Sequence, residues 1–118
     1  MIQTSLSLLV LRTADLDRSV RFYRALGLQF AEEQHGDGPV HYACALGQTI
    51  LELYPAKPGS GPDSATRIGF RVDSVAETMQ RLVELEVEVR TPPSKSPTSS
   101  RAIVLDPDRR TIEIQQTE

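Results

Sequence analysis

The sequence lacks the residues that a disulfide scaffold, a membrane anchor or an aromatic core would need. Its 118 residues include one cysteine, Cys44, and no tryptophan. A single cysteine cannot form an intramolecular disulfide or a cysteine-rich zinc site, and it is typical of a reducing compartment. No apolar run approaches the roughly 18 residues of a spanning helix. We therefore expect a cytoplasmic protein with no membrane partner.

The sequence also lacks a large excess of charge of one sign. The chain has 13 Lys and Arg against 16 Asp and Glu, a formal net charge of -3 and a pI of about 5.4. The basic residues are interspersed with acidic ones, whereas nucleic-acid binding needs a concentrated basic patch, so no nucleic-acid partner is expected. The length and the 39% of hydrophobic residues are typical of one globular domain, which we place at residues 1–118.

The sequence predicts a strand, a helix and three further strands, and then the same order again. Leu16, Val20 and Tyr23 fall at i, i+4 and i+7 of the first helix. Asp15 or Thr13 could cap its start, and Ser74 could cap the second helix. The predicted strands cover residues 6–11, 28–32, 40–46 and 48–54 in the first unit, and 67–72, 87–91, 101–105 and 111–115 in the second.

These elements form two units, residues 5–54 and 65–116, which a linker rich in Pro and Gly joins at 55–64. The units align at an offset of 59 residues, which places Arg12 on Arg71 and the two helix stripes on each other. A duplication explains these matches together. Residues 92–100 are rich in Pro and Ser, and they are predicted to form a mobile loop that borders the cavity mouth.

Four segments carry a resemblance to a known family: LLVLRTADLDRSVRFYRALGLQF, ILELYP, RIGFRVDSVAE and VLDPDRRTIEI. The chain resembles the vicinal oxygen chelate superfamily, which includes glyoxalase I, bleomycin-resistance proteins and extradiol dioxygenases. The resemblance implies an α+β fold in which two tandem βαβββ units form a curved mixed sheet, an incomplete barrel around a cavity. It also implies a homodimer, because short incomplete barrels leave apolar sheet edges that a partner can cover.

The resemblance also implies where a metal would bind. Metal-binding members of that superfamily use His, Glu, His and Glu at four strand positions, which fall here on Leu8, Glu52, Arg67 and Glu113. Leu has no donor atom and a guanidinium is permanently charged. We therefore expect Arg67 to replace the metal's charge by pairing with Glu52, Glu113 or both, and we expect no metal cofactor. A divalent metal, if bound, would be held by Glu52 and Glu113.

Alternation along the predicted strands assigns a set of polar side chains to the cavity, because residues i and i+2 share a face. The candidate ligand-binding residues are Arg12, Glu52, Tyr54, Arg67, Arg71 and Glu113. The Arg residues could bind a carboxylate or phosphate, and the Tyr could donate a hydrogen bond. A structural ion-pair network made by the same residues is the alternative.

The histidines and the cysteine carry weaker indications. His35 lies in the loop EEQHGDG and is expected to be exposed. His41 begins a strand, and we expect it at the surface or in an ion pair, with a metal ligand or a general base as alternatives. Cys44 lies on an apolar strand and is expected in the core.

Two functions are consistent with these residues. The first is a metal-independent protein of the bleomycin-resistance type that binds a small anionic or polar molecule. The alternative is a divalent-metal-dependent enzyme, similar to a lactoylglutathione lyase or a dioxygenase, in which Glu113 and Glu52 would be catalytic. Such an enzyme needs about three protein ligands and an open position. A ferredoxin-like regulatory domain is disfavoured, because three strands follow each helix.

Overall fold

Each half of the chain forms a four-stranded mixed sheet with one helix packed against it. The computed structural model of the protein describes residues 2–95 and 99–117. The first unit contains β1 (Leu8–Thr13), α1 (Leu16–Ala25), β2 (Ala31–Glu33), β3 (His41–Leu46) and β4 (Thr49–Pro55). The second contains β5 (Arg67–Arg71), α2 (Val75–Glu84), β6 (Val89–Lys95), β7 (Ser99–Leu105) and β8 (Thr111–Thr117).

The two sheets have the same topology. Their strand orders are β1-β4-β3-β2 and β5-β8-β7-β6. The pairs β1–β4 and β5–β8 are parallel, and the other neighbours are antiparallel. The sheets do not close into a barrel, and the predicted α+β fold of tandem βαβββ units in a curved mixed sheet is confirmed.

The helices occupy equivalent positions in the two units. Both are ten residues long, and Leu16 and Val75, their first residues, are 59 positions apart. Asp15 caps α1 by accepting a hydrogen bond from the backbone N–H of Arg18 at 3.1 Å, and Ser74 caps α2 in the same way. Neither helix approaches the length and apolar character that crossing a bilayer requires, nor does any other helix in the described part of the chain.

The helix-facing sides of both sheets form a continuous core. Its largest members include Leu51, Leu53, Ile112 and Ile114, which alternate along β4 and β8. Tyr23 links the units, since its ring lies edge-on to Phe70 at 6.2 Å between centroids. Cys44 is buried in the same core, as predicted, and burial raises the pKa of its thiol.

A buried ionic network also joins the units. The Arg110 Nη1 atom lies 3.1 Å from Oδ2 of Asp106 and 3.1 Å from Oδ2 of Asp108. Its other terminal nitrogen donates to the carbonyl oxygen of Arg12 in β1. The Tyr23 hydroxyl donates to Asp106 at 2.6 Å, and burial together with this carboxylate raises the pKa of Tyr23 well above its ordinary value. The turn before β8 is therefore anchored to the first unit.

Several predicted strand limits are wrong, and the helix end explains one of them. The strand predicted at residues 28–32 begins only at Ala31. The backbone N–H of Leu28 instead donates to the carbonyl of Tyr23 at 3.2 Å, and that of Gly27 donates to Arg24 at 2.9 Å. Gly27 has a φ of 107°, so this is a glycine-based helix cap that uses the residues ahead of the strand.

The other corrections concern β1 and the predicted loop at residues 92–100. β1 begins at Leu8 rather than at residue 6 and runs to Thr13, because it pairs with β4 as far as Pro55. β6 extends to Lys95 and β7 begins at Ser99, so much of the predicted loop is strand, and residues 96–98 lie outside the described residues. β6 tolerates its two prolines because it is an edge strand with an irregular register.

Candidate functional site

The predicted site residues lie on the sheet faces that point away from the helices, called the open faces below. In the first unit the cross-strand pairs on this face are Leu8–Ile50, Val10–Glu52 and Arg12–Tyr54. In the second unit they are Arg67–Thr111, Gly69–Glu113 and Arg71–Gln115. The register and the alternation along these strands place the six candidate residues on the open faces. Leu8, Val10 and Ile50 are exposed, so the open face of the first sheet has an apolar margin.

Glu113 is held by two arginines. Arg67 Nη2 lies 3.4 Å from its Oε2 atom, as predicted, and the Nε of Arg101 contacts its Oε1 atom. The Arg101 guanidinium, with a smaller contribution from Arg67, holds the pKa of Glu113 below its ordinary value. The Arg67 side chain is 57% exposed, so this pair is screened by solvent and contributes little stability.

Of the two partners expected for Arg67, only Glu113 is found among the described ion pairs. Glu52 instead faces His41, whose Nε2 atom lies 3.7 Å from its Oε2 atom. The register explains the difference, because Arg67 belongs to a separate sheet and its cross-strand neighbour is Thr111. The two family-equivalent carboxylates therefore have different partners.

Both carboxylates meet a basic side chain at the same position of the neighbouring strand. Ala43 lies opposite Glu52, and Ile103 lies opposite Glu113. His41 and Arg101 stand two residues before these partners, on the same face. Arg101 was not among the sequence candidates, although its alternation with Ile103 in β7 placed it on the open face.

Arg12, Tyr54 and His41 form a stack on the first sheet. The Tyr54 and His41 rings are 4.1 Å apart with an interplanar angle of 8°, and Arg12 Cζ lies 4.8 Å from the centroid of the Tyr54 ring. The Arg12 Nη1 atom donates to the carbonyl of Pro55 at 3.4 Å. Stacking and cation-π contact hold these side chains in place, so the polar groups are oriented before a ligand arrives.

His41 is only 1% exposed and has a carboxylate partner, so of the two expected positions the structure shows the paired one. Its Nε2 atom lies 3.3 Å from Oε1 of Glu33, a residue that the sequence analysis did not select. His35 is exposed as predicted and approaches the same carboxylate oxygen at 3.7 Å. The missed signal is the pairing of Glu33 with His41 across a short hairpin.

The four family metal positions do not fit a metal ion. Leu8 offers no donor atom, and Arg67 brings a fixed positive charge to Glu113, one of the two carboxylates that would have to bind the cation. Arg101 adds a second positive charge at the same carboxylate. The donors at the four family positions are therefore two carboxylates, and two arginines contact one of them.

Among the described residues, two clefts are found on the helix side of the molecule. One, of about 430 Å³, is lined by Arg18 and Arg21 of α1 together with residues 84–88 and the turn before β8. The other, of about 390 Å³, is lined by residues 26–28, the start of α2 and Arg71. Arg71 thus stands at the border between this second cleft and the open face. Neither cleft is lined by Glu52 or Glu113.

Comparison with solved structures finds similar folds over the whole chain. An antibiotic-binding protein, TnmS3 from Streptomyces sp. CB03234, is 26% identical, with a TM-score of 0.75, and the match covers 100% of this chain and 99% of that one. A glyoxalase/bleomycin resistance protein from the same organism is 27% identical, with a TM-score of 0.71 and coverage of 95% and 100%. A glyoxalase-related enzyme from Fulvimarina pelagi is 22% identical, with a TM-score of 0.74 and coverage of 98% and 89%.

The search of curated proteins finds no match. The family model of the Glyoxalase/Bleomycin resistance protein/Dioxygenase superfamily matches residues 5–114, which include both βαβββ units. Both sheets also have the strand order that the similar solved structures share with this chain. The chain therefore belongs to the glyoxalase/bleomycin resistance protein/dioxygenase superfamily.

Proposed function

We propose that this protein binds a small anionic or polar molecule on its open faces, without a metal at the four family positions. The observation that carries the proposal is the charge around Glu113. Arg67 and Arg101 both contact this single carboxylate, and Arg71 lies on the same strand face as Arg67. The three guanidiniums exceed the one negative charge, so they can bind a carboxylate or phosphate of a ligand.

The first unit supplies a complementary surface. Tyr54 is fixed between its stacking contacts, and the exposed Leu8, Val10 and Ile50 side chains lie on the same open face. Binding sites for small molecules combine apolar walls with a few oriented polar groups. A ligand with a flat apolar part and an acidic group matches the two open faces.

The relatives support this class of function. TnmS3, at 26% identity, is an antibiotic-binding protein, and the second Streptomyces relative is a glyoxalase/bleomycin resistance protein. The metal-dependent enzyme alternative has less support, because Leu8 and Arg67 cannot supply the two missing ligands. Binding and sequestration of a small molecule is therefore the function that we propose.

We also propose that the functional form is a cytoplasmic homodimer. The strand β1 lies at the edge of the first sheet, so a second copy can cover its unpaired side. Sedimentation at micromolar concentration should give about twice the chain mass of 13.1 kDa. A monomer mass under these conditions would rule out the dimer.

Ligand binding can be tested on protein treated with EDTA and dialysed. A thermal-shift panel of small carboxylates and phosphates, aldehyde-thiol adducts and aromatic antibiotics is followed by titration calorimetry of each compound that raises the melting temperature. For an anionic compound, Arg67→Gln and Arg101→Gln should each weaken binding about tenfold, because each removes one charge-assisted contact.

Arg21→Gln is the matched control, since it removes the same charge from the helix-side cleft of about 430 Å³. It should leave the affinity unchanged. Weaker binding in this variant, with normal binding in the Arg67 and Arg101 variants, would move the ligand to that cleft and refute the open-face site. The absence of binding by every compound class in the panel would contradict the proposed function itself.

A further inference from the structure

Two imidazoles and a carboxylate converge where β2 passes into β3. Glu33 Oε1 lies 3.3 Å from His41 Nε2 and 3.7 Å from His35 Nε2. The three potential ligand atoms all lie within 4.8 Å of one another. Glu52 adds a second carboxylate, with its Oε2 atom 3.7 Å from His41 Nε2. This Glu33–His35–His41 group is called the hairpin cluster below.

His41 is oriented as a metal-binding histidine would be. Its Nδ1 atom lies 3.2 Å from the carbonyl oxygen of Pro39, which accepts a hydrogen bond when that nitrogen carries the proton. Its Nε2 atom lies 3.3 Å from Glu33 Oε1 and 3.7 Å from Glu52 Oε2. In the tautomer protonated at Nδ1, Nε2 can ligate a metal ion. Backbone carbonyls fix the tautomer of metal-bound histidines in the same way.

We propose that the hairpin cluster binds a divalent transition metal ion, with Glu33, His35 and His41 as ligands and Glu52 beside them. Imidazole ligands favour zinc, nickel, cobalt or copper, whereas calcium and magnesium favour oxygen ligands alone. The class of ion is therefore a transition metal.

The spacing of the donors suits such an ion. Ligand bonds of about 2.1 Å in tetrahedral geometry place donor atoms about 3.4 Å apart. The contacts of Glu33 with His41, at 3.3 Å, and with His35, at 3.7 Å, are close to this separation. His35 is 75% exposed and precedes Gly36, which has a φ of 56°, so a small shift of its ring meets little resistance.

This site differs from the one that the family resemblance implies. Glu33, His35 and His41 occupy none of the four family positions, and Glu52 alone is shared with that set. The expectation of a metal-free protein was based on Leu8 and Arg67, which are not part of the hairpin cluster. The metal proposal does not depend on the ligand proposed above, because ligand binding is measured after metal removal.

The test uses the full chain without an affinity tag and titrates it with Zn²⁺ against a chromophoric chelator. Co²⁺ serves as a second probe, since its d–d absorption reports coordination. About one equivalent of Zn²⁺ should bind, and His35→Ala and Glu33→Gln should each weaken binding by more than about tenfold. Both residues are partly or fully exposed, so the fold should survive either substitution.

Glu32→Gln is the matched control, because Glu32 neighbours Glu33 in β2, is exposed and contacts the Tyr42 hydroxyl instead of the cluster. Its Zn²⁺ affinity should equal that of the unchanged protein. The proposal is refuted if Zn²⁺ does not bind, or if the His35 and Glu33 variants bind it normally. Loss of binding in Glu113→Gln with retention in Glu33→Gln would also refute it, by placing the metal at the family positions.

Discussion

Replacement of Arg110 by Met should strongly destabilise the protein. The Arg110 side chain is 1% exposed, and one of its nitrogens makes both ion-pair contacts, at 3.1 Å, with Asp106 and Asp108. Met is apolar and unbranched, so the substitution removes the charge and the guanidinium hydrogen bonds while an aliphatic chain stays in the core. The two buried carboxylates then lose their common counter-charge.

The magnitude follows from the contacts that remain. Breaking a buried pair by removing one partner costs about 3 to 5 kcal/mol. Asp106 keeps the hydrogen bond from the Tyr23 hydroxyl, and Asp108 keeps the one from the backbone N–H of Ala14. These remaining hydrogen bonds partly stabilise the two carboxylates. We therefore expect a decrease of about 3 kcal/mol in the free energy of unfolding, at the lower end of that range. Domains of this kind have only about 5 to 15 kcal/mol of stability in total.

Urea unfolding followed by far-UV circular dichroism measures this change, because the chain has no tryptophan to report it. Arg109→Met is the matched control, since Arg109 is exposed and lies 3.6 Å from Glu88. It should change the free energy of unfolding by less than about 1 kcal/mol. Protein concentration must be equal in all samples, because a dimer's stability depends on it.

Two further variants separate charge from packing. Arg110→Lys keeps one positive charge and should fall between the unchanged protein and Arg110→Met. Adding Asp106→Asn and Asp108→Asn to Arg110→Met removes the two carboxylate charges that have lost their partner. This triple variant should recover part of the lost free energy of unfolding. A decrease below about 1 kcal/mol in the free energy of unfolding of Arg110→Met, or no recovery in the triple variant, would refute the explanation that uncompensated buried carboxylates cause the loss.

Three other predictions concern stability. Burial and Asp106 raise the pKa of Tyr23, so the hydroxyl loses its proton more readily in the unfolded chain. The free energy of unfolding should therefore fall as the pH rises above about 10. Urea titrations at alkaline pH should show a smaller fall for Tyr23→Phe, and an equal fall in both proteins would contradict this prediction. Arg67→Gln should lower the free energy of unfolding by about 1 kcal/mol or less, because its pair with Glu113 is exposed; a loss of several kcal/mol would show a buried role. Ser74→Ala should cost about 1 kcal/mol through loss of the α2 cap, measured by thermal unfolding, and no change would argue against the cap.

The periodic features of this protein were predictable from sequence. The stripe through Leu16, Val20 and Tyr23 predicted α1, and the 59-residue offset carried the same prediction to α2. Strand alternation placed Glu52 and Glu113 on the open faces. These features depend on side chains three, four or two residues apart, so a local pattern contains the information that they need.

Strand limits were less predictable, because they depend on partners distant in sequence. Leu28 looks like the start of a strand, yet its N–H is used to cap α1. The prolines of residues 92–95 read as a loop, yet they lie in an edge strand whose unpaired side requires no N–H donors. Edge and centre positions are properties of the whole sheet.

The α+β fold of two similar units, the α2 cap at Ser74 and the lack of metal-ligating atoms at Leu8 and Arg67 could be predicted from the sequence. The charge partners could not: Glu113 binds Arg101 as well as Arg67, and Glu52 faces His41. Distance explains the difference. Ion pairs and metal ligands are chosen within about 4 Å in space, and sheet register brings together residues that the chain separates.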